Sequence, residues 1–281
     1  MAKKVIIQGY RGAFHEIAAR HFFGDIDLDF IPANSFPELV HGLEIEDATQ
    51  LTGVMAIENT LYGSLLQNLK LLRASNLTII GEVYLRVAQQ LMGLPGSTID
   101  QLTQVRSHPI AIAQCEEFFE DFPEIKLIES SDTAYAAKRV KEKQQPSIGA
   151  IASKLAARIY GLEVLSDNIE TNKHNYTRFL VIEKQNGQQI STNANKVSIV
   201  FRARHEVGSL HKVLGILSAY SLNMTKIHSA PIVGEVWRYK FFIDFELDGL
   251  VGYQHAIEAI RPLVDDLRVL GIYKRGEHYE G

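Results

Sequence analysis

Cysteine is all but absent from this chain. Cys115 is its one thiol in 281 residues, so no intramolecular disulfide can form, and a reducing, cytoplasmic setting is expected. Metal-ligand spacing is missing as well: the ten histidines contain no HxxxH pair, and one cysteine permits no CxxC, so no metal is expected. There is no apolar run long enough to cross a bilayer. Val5-Ile6-Ile7, behind Met1-Ala2-Lys3-Lys4, is too short for a signal sequence. Charge of one sign is not in excess either. With 29 Lys and Arg against 33 Asp and Glu, the formal net charge is -4, which excludes a surface built to coat nucleic acid or an anionic membrane.

What is present is a substantial apolar fraction, 46%, enough for one or two cores and about two domains. The apolar periodicity predicts alternating strands and helices: Val5 to Gln8, a helix over Phe14 to Phe23, Leu28 to Pro32, a helix over Phe36 to Leu43, Leu51 to Ile57, a leucine-spaced helix, then Thr78 to Ile80. A second set follows, with strands at Val87 to Leu94, Val105-Arg106, Ile125 to Ile128 and Ser147 to Ile151. Its helices are predicted over Ile110 to Phe119, Ala134 to Val140 and Ser153 to Tyr160. Such alternation implies βαβ units and largely parallel sheets, with ligands beyond the carboxyl ends of the strands. Polar residues gather at those junctions in both sets, which describes two lobes around a cleft. The lobes are read as residues 1–85 with 170–184, and 86–169.

A polar, turn-rich linker is expected over 185–195. Beyond it, 196–275 reads as βαββαβ, a ferredoxin-like small domain, with Gln254 to Leu267 mostly helical despite Pro262 and a tail over 276–281.

Several junctions carry chemistry-bearing residues. Gly9-Tyr10-Arg11-Gly12 is a glycine turn between strand and helix, a place where free backbone N–H groups hold anions, but it lacks the third glycine of a dinucleotide fingerprint. No nicotinamide cofactor is therefore expected. Glu58-Asn59-Thr60 closes a strand. Ser107-His108-Pro109 opens a helix that carries Gln114, with Cys115 read as a packed thiol. In Asn175 to Phe179, Thr177 and Arg178 offer a hydroxyl donor and a cationic clamp for a carboxylate, or equally an ordinary edge strand.

Together the segments Gly9 to Glu16, Ala56 to Thr60, Ser107 to Pro109 through Gln114-Cys115, Ser131 to Ala134, and Asn175 to Phe179 resemble, in order, the motifs of the prephenate dehydratase family, which includes the arogenate dehydratases. The resemblance covers essentially the whole chain. It implies an α/β fold: a two-lobed catalytic domain like a type II periplasmic binding protein over 1–184, followed by a ferredoxin-like ACT regulatory domain.

The implied activity is decarboxylating dehydration of prephenate to phenylpyruvate, or of arogenate to phenylalanine, with no cofactor required. The other class of reading is a non-catalytic small-molecule binding protein with an amino-acid sensor. The family match assigns the leading catalytic role to Thr177, and Glu58 is expected as proton source. Asn59, Thr60, Ser107, His108, Gln114, Ser131, Thr133, Arg178 and Phe179 are expected at the substrate.

Phenylalanine is expected as effector at a site made of Gly208, Ser209, Leu210, Asn223, His228 and Ser229, in a homodimer or homotetramer. Two departures stand out. Ala13 replaces a frequent hydroxyl residue, as in plant arogenate dehydratases, and His228-Ser229-Ala230-Pro231 replaces the usual Glu-Ser-Arg-Pro.

Overall fold

The computed structural model describes residues 2–45, 51–185, 193–247 and 252–281. In the first lobe, Val5, Ile6 and Ile7 are buried without alternation, because helices Phe14–Phe23 and Phe36–Glu44 cover both faces of their strand, Lys3–Gln8. That strand pairs in parallel with Leu28–Ala33 and Thr52–Asn59. The chain then leaves for the second lobe and returns as Tyr176–Lys184. The returning strand slots antiparallel between Thr52–Asn59 and Leu77–Arg86. The sheet is therefore mixed rather than largely parallel, since a strand arriving from the other lobe enters from the cleft end without a crossover helix.

The second lobe has its own five-stranded sheet, in the order Glu163–Ser166, Gln90–Gly93, Ile148–Ala152, Gln104–Ser107, Lys126–Glu129. Residues 87–89, expected as strand, are instead part of the crossing between lobes. There Val87 N donates to Asn175 O, and Gln89 N and the Arg86 guanidinium both donate to the buried Glu170 carboxylate. The two crossings are thus bound to each other. Helix Thr133–Lys143 starts on the side chain of Asp132, and Lys154–Tyr160 starts on Ser153 and stops at Gly161 in the left-handed region.

Residues 196–273 form the βαββαβ unit, with strands in the order Met224–Pro231, Tyr239–Glu246, Lys196–Ala203, Val264–Tyr273, all antiparallel. The helix expected over 254–267 is shorter: Tyr253–Ile260 gives way to a 3₁₀ turn at Arg261–Leu263, and a strand begins at Val264. Pro262 lacks the N–H that would continue the helix. Of the linker, residues 186–192 lie outside the described residues. The last residues are more than a tail, since His278–Tyr279 pairs with Leu77–Arg86 and the His278 ring stacks on Tyr84. No helix among the described residues is long and apolar enough to cross a membrane.

One backbone bridge joins the sheets of the first lobe and the C-terminal unit, Gly271 opposite Ile79. A Cβ at Gly271 would lie 2.4 Å from the Ile79 carbonyl oxygen, so only glycine permits this approach. Gly271→Ala is expected to destabilise the protein by about 1–3 kcal/mol through forced separation of the strands, read as a lower urea midpoint.

Candidate active site

Between the lobes lies a cleft open to solvent. Its floor is the strand Tyr176–Lys184 and its neighbour Thr52–Asn59, and the arrangement of side chains there follows from strand parity. Successive residues of a strand point to opposite faces. Thr177 and Phe179 line the cleft, so Arg178 between them cannot.

The neighbouring strand departs from simple alternation. Thr177 lies opposite Asn59 and Arg178 opposite Glu58, but Phe179 lies opposite Ala56, which leaves Ile57 as the extra residue of a β-bulge. Ala56 and Asn59 consequently both face the cleft, three residues apart. Ile57 and Glu58 both face the other way, Ile57 into the apolar core and Glu58 towards the C-terminal unit.

The bulge brings Asn59 onto Thr177. Asn59 Nδ2 donates to Thr177 Oγ1 at 2.9 Å and to Asn175 Oδ1 at 2.8 Å, while Asn59 Oδ1 accepts from the backbone N–H groups of Leu61 and Tyr62. Every hydrogen-bonding atom of the amide is used, so its orientation is fixed. Because Thr177 Oγ1 already accepts a hydrogen bond, its own proton is left to donate into the cleft. Phe179 completes this floor, with the His15 ring edge-on at 5.0 Å between centroids.

The expected carboxylate clamp is corrected by the same parity. Arg178 is buried on the far face, where Nε donates to Glu82 at 2.7 Å, Nη1 to Asp244 at 2.6 Å and Nη2 to the Tyr273 hydroxyl at 3.1 Å. Glu58 is likewise removed from the cleft, its carboxylate held by Lys226 Nζ at 2.7 Å and 3.8 Å from the Arg178 guanidinium. Lys196 closes the cluster on Glu82 at 2.9 Å. Three acids and three bases thus neutralise one another in a junction that is buried except at Glu58, whose side chain is 38% exposed. Burial alone would raise the Asp244 carboxyl pKa, but Arg178, the Ser198 hydroxyl and Lys196 together outweigh it and hold the carboxyl below its ordinary range.

Two further expected substrate residues are also structural in place. The Ser107 hydroxyl, fully buried, donates to Ile151 O at 2.7 Å. Thr60 Oγ1 donates to His174 O and accepts from Tyr176 N, stitching the loop before the strand.

The second lobe supplies the opposite wall with Ser131, Thr133, His108 and Gln114, all expected, and with Asp132, which lies inside the matched segment Ser131 to Ala134 but is not among the expected site residues. Gln114 Oε1 accepts from Gln89 Nε2 at 3.2 Å. His108 both lines the cleft and caps its helix, its Nδ1 accepting from Ile110 N at 3.2 Å. Burial lowers the pKa of the His108 imidazole against the pull of Asp132 and Glu129. Cys115 is packed as expected, with burial pushing its thiol up to about 12.

Gln8, Gln89, Tyr62 and His15 were missed. His15 had a signal, since it lies one residue past Phe14 in a matched segment. Burial depresses its imidazole to about 4, and its Nε2 is buried with no partner.

The lobes touch at the first glycine turn. Gly9 and Gly12 have φ of +93° and +89°, and a Cβ on Gly9 would meet Asp132 Oδ2 at 2.5 Å. Ser153 Oγ donates to Gly12 O, and Tyr160 OH donates to Arg11 O. Arg11 is committed to Glu16 at 2.8 Å, and Arg20 shares the same buried carboxylate. Among the described residues that line the cleft there is no Lys or Arg.

The expected effector residues are spread over several elements of the C-terminal unit. Helix Ser209–Ala219, eleven residues and therefore about 16 Å long, separates Gly208–Leu210 from Asn223, whose amide donates to Glu246. His228 and Ser229 sit midway along the edge strand Met224–Pro231.

Residues 5–187 match the profile of a family described as prephenate dehydratase. The bifunctional chorismate mutase/prephenate dehydratase of Aquifex aeolicus is 33% identical over 276 residues, 97% of this chain and 74% of that protein. Arogenate dehydratase/prephenate dehydratase 1 of Arabidopsis thaliana, a chloroplast protein, is 33% identical over 96% of this chain and 71% of its own length. Among solved structures, the prephenate dehydratase of Arthrobacter aurescens in complex with L-Phe is similar with a TM-score of 0.84 at 25% identity, over 97% of this chain and 90% of that one. A protein named GqqA, described as a novel type of quorum-quenching acylase, is similar at 0.85 and 28%, over 97% and 98%.

Replacing Arg178 with Met leaves Glu82 and Asp244 short of a partner in a buried site. The expected cost is about 3–5 kcal/mol of stability, seen in urea unfolding, without a selective rise in KM. His15 makes stability sensitive to acid. The unfolded imidazole takes up a proton near pH 6.5 and the folded one near 4, so stability is lost as pH falls between those values, by about 3 kcal/mol at most. Urea midpoints from pH 7 to 4 should show this loss, and His15→Phe should remove it.

Proposed function

The chain belongs to the prephenate dehydratase family, and we propose that its cleft carries out the decarboxylating dehydration of prephenate or arogenate. The enzyme is a carbon–oxygen lyase. The observation that carries the assignment of roles is the Asn59–Thr177 hydrogen bond at 2.9 Å, which turns the Thr177 proton towards the cleft.

In the reaction the C1–carboxylate bond breaks to release carbon dioxide, and its electron pair enters the ring. The C4–oxygen bond breaks, and the departing hydroxide takes a proton to leave as water. Aromatisation drives the whole. The protein's task is to hold the ring and stabilise the charge growing on the departing oxygen, which the Thr177 hydroxyl does as a fixed donor in a largely apolar cleft.

Phe179 and Ala56 are proposed to pack against the ring, and His108, Gln114, Ser131 and Thr133 to bind its polar ends. Glu58 and Arg178 have other work, so the proton comes from solvent and the carboxylates are met by neutral donors and helix-start N–H groups. Amide hydrolysis, the activity in the name of one structural relative, needs a hydroxyl that gives its proton to a base. Thr177 receives a hydrogen bond from an amide N–H instead, which favours the dehydratase.

The two lobes are proposed to follow the type II periplasmic-binding-protein plan over 1–184, and 196–275 to be an ACT domain that senses phenylalanine. Gly208, Ser209 and Leu210 lie a helix length from Asn223, and His228 and Ser229 lie on an exposed edge. An effector site drawing on them is therefore proposed to be completed by a second copy, as a homodimer or a pair of dimers, in the cytoplasm. Inhibition requires phenylalanine to bind a less active arrangement of the lobes more tightly than the active one.

Thr177→Ala is expected to lose ~10²–10³ in kcat with KM for prephenate or arogenate nearly unchanged, and Thr177→Ser to retain most of the rate. Steady-state kinetics on both acids checks this. Full activity in Thr177→Ala would remove Thr177 from the chemistry.

A further inference from the structure

The charge in the cleft is negative, where a dicarboxylate site would be expected to be positive. Among the described residues that line it, the ionisable side chains are His15, His108, Asp132 and Tyr62. Burial keeps the two imidazoles neutral. The nearby cations are spent elsewhere: Arg11 on Glu16, Arg86 on Glu170, and Arg178 on Glu82 and Asp244. That leaves the Asp132 carboxylate as the formal charge facing a substrate.

Asp132 stands at the start of helix Thr133–Lys143, on the lobe opposite Thr177, against the glycine turn of the first lobe. Its Oδ1 accepts from Tyr135 N at 2.8 Å, and the backbone N–H groups of Tyr10 and Ala134 also support it. These N–H donors, with the fixed partial positive charge of the helix start, favour the ionised form. Burial nonetheless raises its pKa, the mark of a carboxylate that lacks a full cationic partner.

The two acids of the family reaction differ at the end of the ring away from the leaving hydroxyl. Prephenate carries a keto acid there and arogenate an amino acid. The first is a dianion throughout, while the second adds an ammonium group. A carboxylate with no Lys or Arg beside it repels the one and pairs with the other.

We propose that Asp132 is the specificity-determining residue of this cleft, binding the ammonium group of arogenate and making the amino acid the preferred substrate over the keto acid. The proposal rests on the dehydratase reading and sharpens it. Thr177 serves the departing hydroxyl from the first lobe, and Asp132 fixes the far end from the second, so the substrate spans the cleft.

The test is kcat/KM for arogenate and prephenate in the wild type, Asp132→Asn and Asp132→Ser. Both replacements can still cap the helix and both remove the charge. Should one fail to fold, the other carries the comparison, and circular dichroism checks each. The wild type should favour arogenate, and the arogenate-to-prephenate ratio should fall by about 10- to 100-fold in the variants, the value of a hydrogen bond to a charged group.

A wild type that prefers prephenate overturns the proposal. So does a ratio unchanged in the variants while both rates fall together, which would leave Asp132 as a cap alone. If the wild type turns over neither acid, the dehydratase reading itself fails and takes this inference with it, a result distinct from the other two.

Discussion

The strict alternation of a β-strand governs this molecule, because one strand, Tyr176–Lys184, serves two compartments at once. Thr177 and Phe179 look into the cleft, and Arg178 looks into the junction with the C-terminal unit. Neither face can be altered without moving the other. The bulge at Ile57 in the neighbouring strand settles the matching question there, sending Asn59 to Thr177 and Glu58 to Lys226. Both residues of the Asn59–Thr177 pair therefore have a chain neighbour held by an ion pair to the C-terminal unit.

The junction is costly to build. Removing five charged groups from water, with Glu58 left partly exposed, is unfavourable, and their mutual attraction repays it only where geometry and hydrogen bonding are complete. Here they are nearly so: Arg178 has three side-chain partners, and Lys196 donates both to Glu82 and to the Tyr84 hydroxyl. The lobe contributes Glu58, Glu82 and Arg178, and the C-terminal unit contributes Lys196, Lys226 and Asp244. Each side alone carries an uncompensated charge, negative and positive respectively. The two are neutral only together, which sets their relative position more sharply than apolar contact would.

The cleft is the reverse case, a site that has given up its cations. Arginines near it are bound to buried carboxylates, and what faces the ligand is amides, hydroxyls, neutral imidazoles and one acid. Substrate recognition must then come from dipoles with fixed direction, each held by a second contact: Asn59 by its own turn, Gln114 by Gln89, His108 by its helix cap. Such donors need no reorganisation when charge develops on a ligand.

Much of this was legible from residue order. Helix Phe14–Phe23, the return of the chain near Thr177, the βαββαβ pattern and the packed Cys115 follow from periodicity, turn residues and composition, which are local properties. Thr177, Asn59, Gln114, His108, Ser131, Thr133 and Phe179 do gather at one cleft. Arg178, Glu58, Ser107 and Thr60 do not, and no local signal distinguishes them. A motif names neighbours along the chain, whereas parity and a one-residue bulge decide which of those neighbours share a face. His15 and Asp132 escaped for a related reason, since one lies within a helix and the other at a helix start, and the structure gives them those roles as well. By itself the sequence determined which chemistry was available and in which segments, since side-chain types and periodicity are written along the chain. The tertiary structure decided which side of the sheet each group would serve and which charges would be spent on one another, since those depend on partners some hundred residues away.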